Sequence, residues 1–244
     1  MEWVDEGIIL GVRKHGETSA IVEVMTRHHG RHMGLVRGGR SRRMQPVLQP
    51  GNSADLVWRA RLDEQLGTFQ IEPVKMRAAQ LMETAIGIHG IQAMASYLRL
   101  LPERDAHENL FEIFEVIIGN LDKPEDAGEL FIRFELSMLY ELGFGLDLSK
   151  CAATGVTDKL IYISPKSGRA VSEAAGEPWK DKLFKFPDFL VDGTAHAASR
   201  LDLIEAFKVT NFFFDRHIYG PRAIDPPLSR DGFVQAVLKG LAAA

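Results

Sequence analysis

The chain has 244 residues, with 29 Lys+Arg against 33 Asp+Glu, 45% apolar residues and one cysteine, a composition that excludes disordered, fibrous and disulfide-built proteins. No apolar run approaches the ~20 residues that span a bilayer, and Glu2, Asp5 and Glu6 stand where a signal peptide would carry positive charge, so a cytoplasmic location without membrane contact is expected. The net charge of −4 is uneven: 12 Lys+Arg face 9 Asp+Glu up to Arg77, and 17 face 24 beyond it.

Gly7 to Val12 is a strand-like apolar run, and His15-Gly16-Glu17 is a turn. Ala20 to Thr26 is rich in β-branched residues, Arg27 to Gly30 offers a second turn, and Met33 to Val36 resumes the strand pattern. Ala54 to Arg61 alternates as a half-buried strand does, and Leu66 to Ile71 follows. Five short strands with Gly and Pro punctuation predict a small barrel in a domain of residues 1–77.

From Pro73 the period changes. Ala79, Met82, Ile86, His89, Ala93, Tyr97 and Leu100 mark one helical face between Met76 and Leu101. His107–Leu121, Ala127–Leu142, Leu201–His217 and Gly232–Leu241 are predicted helices for the same reason, with Pro124 at a helix start. A helical domain over 78–244 is expected, interrupted at about 149–187 by turns around a short strand or two. The fold class is therefore α+β, a barrel followed by an otherwise all-helical domain.

Between Glu23 and Asp55 there is no acidic residue, while Arg27, Arg31, Arg37, Arg40, Arg42, Arg43, His28, His29 and His32 fall there. Arg37-Gly38-Gly39-Arg40-Ser41-Arg42-Arg43 concentrates guanidinium groups around a glycine pair, and planar cations with closely approaching backbone N–H groups suit phosphate oxygens. A nucleic-acid contact stands ahead of a merely solvated loop, because the acid-free interval extends well beyond it. No G-x-x-x-x-G-K-[ST] sequence occurs, so nucleotide hydrolysis has no support. Trp3, Trp58 and Phe69 are the aromatic residues before position 78. Trp58 is either a base-stacking platform or core, and Phe69 is expected in the core. With so few aromatic residues, binding should run through phosphates, with weak sequence preference and strong salt dependence.

His28, His29 and His32 lie in a turn without a nearby cysteine or carboxylate in sequence, so no metal is expected, and the histidines should add positive charge at mildly acidic pH. Cys151 is expected to be structural, its possible partners His196 and His217 being distant in sequence. Glu129, Glu135 and Glu141, with Arg133 among them, read as a salt-bridged solvent face. No hydrolase, metalloprotease or paired-carboxylate metal motif is present, so neither an enzyme nor a metal-dependent nuclease is expected. Phe207, Phe212, Phe213, Phe214 and Tyr219 crowd together beside Arg216, His217 and Arg222. Most should be core, two of the three consecutive phenylalanines included. The alternative is a cation-rimmed apolar pocket of Phe212, Phe213, Arg216 and Arg222 for an acidic, aromatic partner peptide.

Gly16-Glu17-Thr18-Ser19-Ala20-Ile21-Val22, Thr26, Gly30 and the Arg37–Arg42 loop resemble the N-terminal signature of the RecO family of bacterial DNA repair proteins. The resemblance continues through Tyr140-Glu141-Leu142-Gly143-Phe144-Gly145-Leu146-Asp147-Leu148-Ser149-Lys150-Cys151 and Ser164 to Val171, and ends near His217, Pro227 and Ser229-Arg230. It implies an N-terminal OB-fold and a helical domain that bind single- and double-stranded DNA and anneal complementary strands without ATP or any cofactor. It further implies RecA loading, with RecR, onto DNA covered by single-strand-binding protein, whose C-terminal tail is contacted, and nucleoid association during repair. Many members carry two Cys-x-x-Cys pairs that hold zinc in the interrupting segment. Here Cys151 is followed by Thr154 and no further cysteine, so a zinc-free segment packed on Ile161, Ile163 and Val171 is expected. Phosphate screening by Arg37, Arg40, Arg42 and Arg43, with Arg27 and Arg31 alongside, is the expected mechanism. About four cations on single-stranded DNA correspond to a log–log salt slope near −3. The competing class is a scaffold whose helical domain binds repair partners with incidental DNA contact.

Overall fold

A computed structural model describes residues 1–190 and 198–243. The chain divides into two compact units, Met1–Asp122 and Lys123–Ala244. In the first, β1 (Glu2–His15), β2 (Ser19–Thr26), β3 (Arg31–Val36), β4 (Ser53–Arg59) and β5 (Thr68–Lys75) close a barrel in the order β1-β2-β3-β5-β4. β3 and β5 run parallel and the other pairs antiparallel. This is the expected OB-like barrel.

β1 is more than twice the predicted length because it serves two neighbours. Residues 2–8 pair with β4 and residues 7–15 with β2, with a register shift between Ile9 and Gly11 that bends the strand from one partner to the other. Inward residues of all five strands, among them Ile9, Val22, Val24, Leu56, Trp58 and Phe69, fill the barrel. Gly34 is required here, since a Cβ would stand 2.4 Å from the Phe69 ring.

The last barrel strand ends at Lys75, and the compact unit runs on to Asp122, past the boundary expected at residue 77. α1 (Ala78–Leu81), α2 (Ala85–Leu98) and α3 (Glu108–Ile118) belong with the barrel. The helix predicted from Met76 to Leu101 breaks because Thr84 caps α2, its side chain accepting from Gly87 N at 2.9 Å. Asn52 joins barrel to helix, accepting from Ala78 N at 2.9 Å.

In the second unit, α4 (Pro124–Glu141), α6 (Arg200–Phe214) and α8 (Leu228–Ala243) pack together, with the Phe131 ring in contact with those of Phe207 and Phe233. Glu129 and Arg133 form the expected exposed pair at 2.9 Å. Glu135 departs from expectation: it is fully buried on the Phe131–Met138 face, where Arg230 reaches it at 2.6 Å and Thr210 Oγ1 donates to it at 2.5 Å. The helical period puts position 135 inward, and the charge is tolerable there because α8 brings a guanidinium to meet it.

The interruption is a three-stranded sheet ordered β7-β6-β8, from β6 (Leu160–Ile163), β7 (Ala170–Ser172) and β8 (Phe184–Lys185), with the short α5 (Glu173–Gly176) after β7. Ile163 and Val171 are buried and Ile161 is half-buried. Cys151 is buried, and its sulfur accepts from Ser172 N at 3.3 Å and Ser172 Oγ at 3.4 Å. Burial raises its pKa, and the hydrogen bonds from Ser172 and Thr154 outweigh this and bring it to about 6. A zinc ion does not fit this donor set, one thiol among hydroxyls; among the described residues no group of three or more His, Cys, Asp and Glu side chains could hold a metal ion. Among those residues, too, no helix is long and apolar enough to cross a membrane.

Replacing Arg230 by Met leaves a buried, uncompensated Glu135 and is expected to destabilise the helical unit by about 3–5 kcal/mol. The pair Glu135→Leu/Arg230→Met should recover most of that loss. Urea unfolding of both variants checks this, and equal instability of the two would contradict it.

Candidate nucleic-acid interface

The Arg37–Arg43 segment leaves β3 as consecutive turns. Gly38 has φ +68°, a conformation that favours glycine, and at Gly39 a Cβ would stand 3.0 Å from Ala20 Cβ. Gly39 N donates to Val36 O (3.2 Å), Ser41 N to Gly38 O (2.9 Å) and Arg40 N to Thr18 O (3.0 Å). Arg40 Nη1 donates to Gly16 O at 2.6 Å. The glycine-flanked loop is therefore ordered, and Arg40 ties it to the β1–β2 turn.

Arg37, Arg42 and Arg43 are exposed, and no ion pair holds any of them among the described residues. Three unneutralised guanidinium groups on a pre-set loop lose little conformational freedom on meeting phosphates. Beside them is a groove of about 460 Å³ lined by Lys14, Gly39, Arg40, Gln45 and Gln49, among others. Lys14 was not singled out from the sequence; its place next to the His15-Gly16-Glu17 turn was the available signal.

Arg27 and Arg31 are differently placed. Arg27 pairs with Glu6 and, at 3.0 Å, with Glu112, and its guanidinium lies 4.7 Å from the centre of the Phe111 ring. Arg31 is buried against Glu23 (3.1 Å), Glu103 (3.3 Å) and Leu101 O (3.2 Å). The interval lacks acids in sequence, but folding brings carboxylates to it from β1, β2 and the helical segments. Both arginines hold the barrel to those helices, and a phosphate would have to displace these partners.

Of the two roles open to Trp58, the structure assigns the core: it is 1% exposed and its Nε1 donates to Leu66 O at 3.1 Å. Phe69 is core as expected. Trp3 stacks on Trp58 at 5.5 Å and on His29 at 4.2 Å. Asp5, buried, accepts from His28 Nδ1 (2.9 Å) and His29 Nδ1 (2.8 Å). Burial raises its pKa, but the hydrogen bonds from His29 and His28 prevail and hold it below the ordinary carboxylate value. His32 does not add charge at mildly acidic pH: burial pushes its pKa down to about 4.

In the second unit, Phe213 and Phe214 are buried and Phe212 is half-buried, as two-thirds core predicts. Arg216 lies in a π-helical turn, Asp215–Tyr219, where its Nη1 donates to Pro165 O at 2.9 Å and its guanidinium stands 5.9 Å from the Phe212 ring centre. His217 stacks on Phe144 at 4.7 Å. Arg222 is exposed in α7 (Gly220–Arg222). Of the four residues of the expected pocket, Phe212 and Arg216 are brought together, Arg222 is exposed and Phe213 is buried. His196 lies outside the described residues.

Two family models match, Recombination protein O N terminal over residues 1–77 and Recombination protein O C terminal over residues 91–223. The chain belongs to the RecO family. The DNA repair protein RecO of Mesorhizobium japonicum is 63% identical over 239 residues, 98% of this chain and 94% of that protein. Its counterpart in Rhizobium johnstonii is 61% identical over 241 residues, 99% and 94% of the two chains, and that in Sinorhizobium medicae 58% over 244 residues, 100% and 98%. The N-terminal family match, ending at residue 77, takes in all five barrel strands.

His32 gives the barrel a pH dependence. Its folded pKa, about 4, lies below the unfolded value near 6.5, so on acidification the unfolded chain takes up the proton first and stability is lost from about pH 6.5 downward. Stability should fall by about 1–2 kcal/mol between pH 7 and 5. Asp5 adds its own loss only below the ordinary carboxylate range. Thermal melts across this range should show a shallower slope for His32→Gln, whose amide does not titrate.

Proposed function

We propose that the chain binds the phosphate backbone of single- and double-stranded DNA through Arg37, Arg42 and Arg43 and anneals complementary strands without nucleotide hydrolysis. With RecR it helps load RecA onto DNA covered by single-strand-binding protein. The observation that carries this reading is the ordered loop on which Arg37, Arg42 and Arg43 are exposed and held by neither an ion pair nor a side-chain hydrogen bond among the described residues. Strand annealing is opposed by phosphate repulsion, which bound guanidinium groups screen. The buried Trp58 offers no platform that would hold the bases away from pairing. Contacts of this kind discriminate weakly among sequences.

Three arginines on single-stranded phosphates contribute about −2 to the log–log salt slope. Arg37→Ala/Arg42→Ala/Arg43→Ala should lose that share together with ATP-independent annealing. Arg40 is left in place because it holds the loop. A variant with wild-type slope and annealing rate would remove the loop from the site.

The half-buried Phe212 beside Arg216, with Arg222 exposed, supports contact with the acidic C-terminal tail of single-strand-binding protein. Arg216→Ala/Arg222→Ala should weaken a tail peptide roughly tenfold by titration calorimetry, a loss of order 1.4 kcal/mol. Unchanged affinity would count against this surface.

A further inference from the structure

A second cationic groove, of about 380 Å³, is lined by Gly11, Arg13, Glu23, Arg31 and Arg99, among others. Two of its three arginines, Arg31 and Arg99, meet one carboxylate there. Glu23 Oε2 accepts from Arg99 Nη2 (2.7 Å) and Nε (2.9 Å), and Oε1 from Arg31 Nη1 (3.1 Å). The Arg31 side chain is only 10% exposed, and its Nε has no partner among the described residues. Arg13 is exposed, and its hydrogen-bond partner among those residues is a soft acceptor, Met33 Sδ, at 3.7 Å. Arg99 keeps 43% of its side chain exposed while it holds Glu23.

The backbone has made room for this arrangement. The register shift between Ile9 and Gly11 bends β1, and a Cβ at Gly11 would stand 3.0 Å from Arg99 Nη2. Beyond Ile8, β1 pairs with β2 alone, so its opposite edge is open from Gly11 to Lys14. Val12 lines both this groove and the one that holds Lys14 and Arg40 beside the arginine loop. The two cationic grooves therefore adjoin across a single strand edge.

We propose that the groove of Arg13, Glu23 and Arg99 is a second phosphodiester subsite, reached by a single strand that passes from the Arg37–Arg43 loop over the open edge of β1. Arg13 and Arg99 take the phosphate. Glu23 sets the strength of the subsite by competing with that phosphate for Arg99. Glu23 and Glu103 stand against Arg31 and Arg99, so the surplus positive charge of the groove is that of Arg13, and an anion bound there also meets the exposed part of Arg99. The subsite rests on the reading of the loop as a DNA contact and lengthens that contact beyond it.

Fluorescence anisotropy with oligothymidylates of graded length, at several salt concentrations, tests it. Wild-type affinity should rise with length until both subsites are filled. Arg13→Ala/Arg99→Ala should abolish the gain from the longer oligonucleotides, bind them roughly tenfold more weakly and lower the slope by about 1.4. Glu23→Gln keeps an acceptor for both arginines but removes the competing charge, so it should bind long oligonucleotides severalfold tighter, an effect that damage to the fold would not produce. If the loop variant loses slope while these two behave as wild type, the subsite is overturned and the loop reading stands. If the loop variant also behaves as wild type, both are overturned.

Discussion

Glu23, shared between Arg31 and Arg99, is the contact on which the join between the barrel and its helices depends. One carboxylate on β2 ties β3 to the residue that ends α2. Arg31 continues the tie to Glu103 and to Leu101 O. The same region is closed from two further sides. Arg27 reaches Glu6 and Glu112, and Arg104 donates to carbonyls of the β4–β5 loop, including Gln65 O at 2.9 Å. Partly buried pairs of this kind hold a barrel and its helices in register more than they add net stability. Their main consequence is a division of labour among cations. Arg27 and Arg31 are held by carboxylates and Arg40 by a carbonyl, whereas Arg37, Arg42 and Arg43 are held by neither among the described residues.

The second unit solves a related problem with one buried pair. Glu135 and Arg230 are 95 residues apart in sequence and meet among phenylalanines, with Thr210 and Asn211 absorbing further hydrogen-bonding capacity. The zinc-less segment relies on hydrogen bonding as well. Where a metal would gather thiolates, Thr154 and Ser172 donate to the single sulfur of Cys151. Such a cluster keeps the chain folded back on itself without a metal's binding energy, and strand pairing of β6 with β7 and β8 supplies the rest.

The elements were legible because they rest on local pattern. Alternation found the barrel strands, period found the helices, and Gly38-Gly39 found the loop. The long β1 was underestimated because a strand that changes partners half-way does not keep one alternation phase. The Met76–Leu101 helix was overextended because a capping threonine breaks a helix without disturbing its apolar face. At the site, Arg37, Arg42 and Arg43 were visible as charge in a flexible-looking turn. The structural roles of Arg27, Arg31 and Arg40 were not, since each depends on a partner distant in sequence, and for Trp58 the sequence left core and stacking platform both open.

By itself the sequence determined the order of strands and helices, the barrel-then-helix class, the family and the loop where arginine is densest. These follow from short-range periodicity and from residue types whose backbone preferences are local. Only the tertiary structure decided which arginines are free. Charge along a chain is a one-dimensional count, whereas availability depends on which carboxylates lie within a few ångströms in three dimensions. Glu6, Glu23, Glu103 and Glu112 lie outside the acid-free interval, yet they neutralise two of its six arginines.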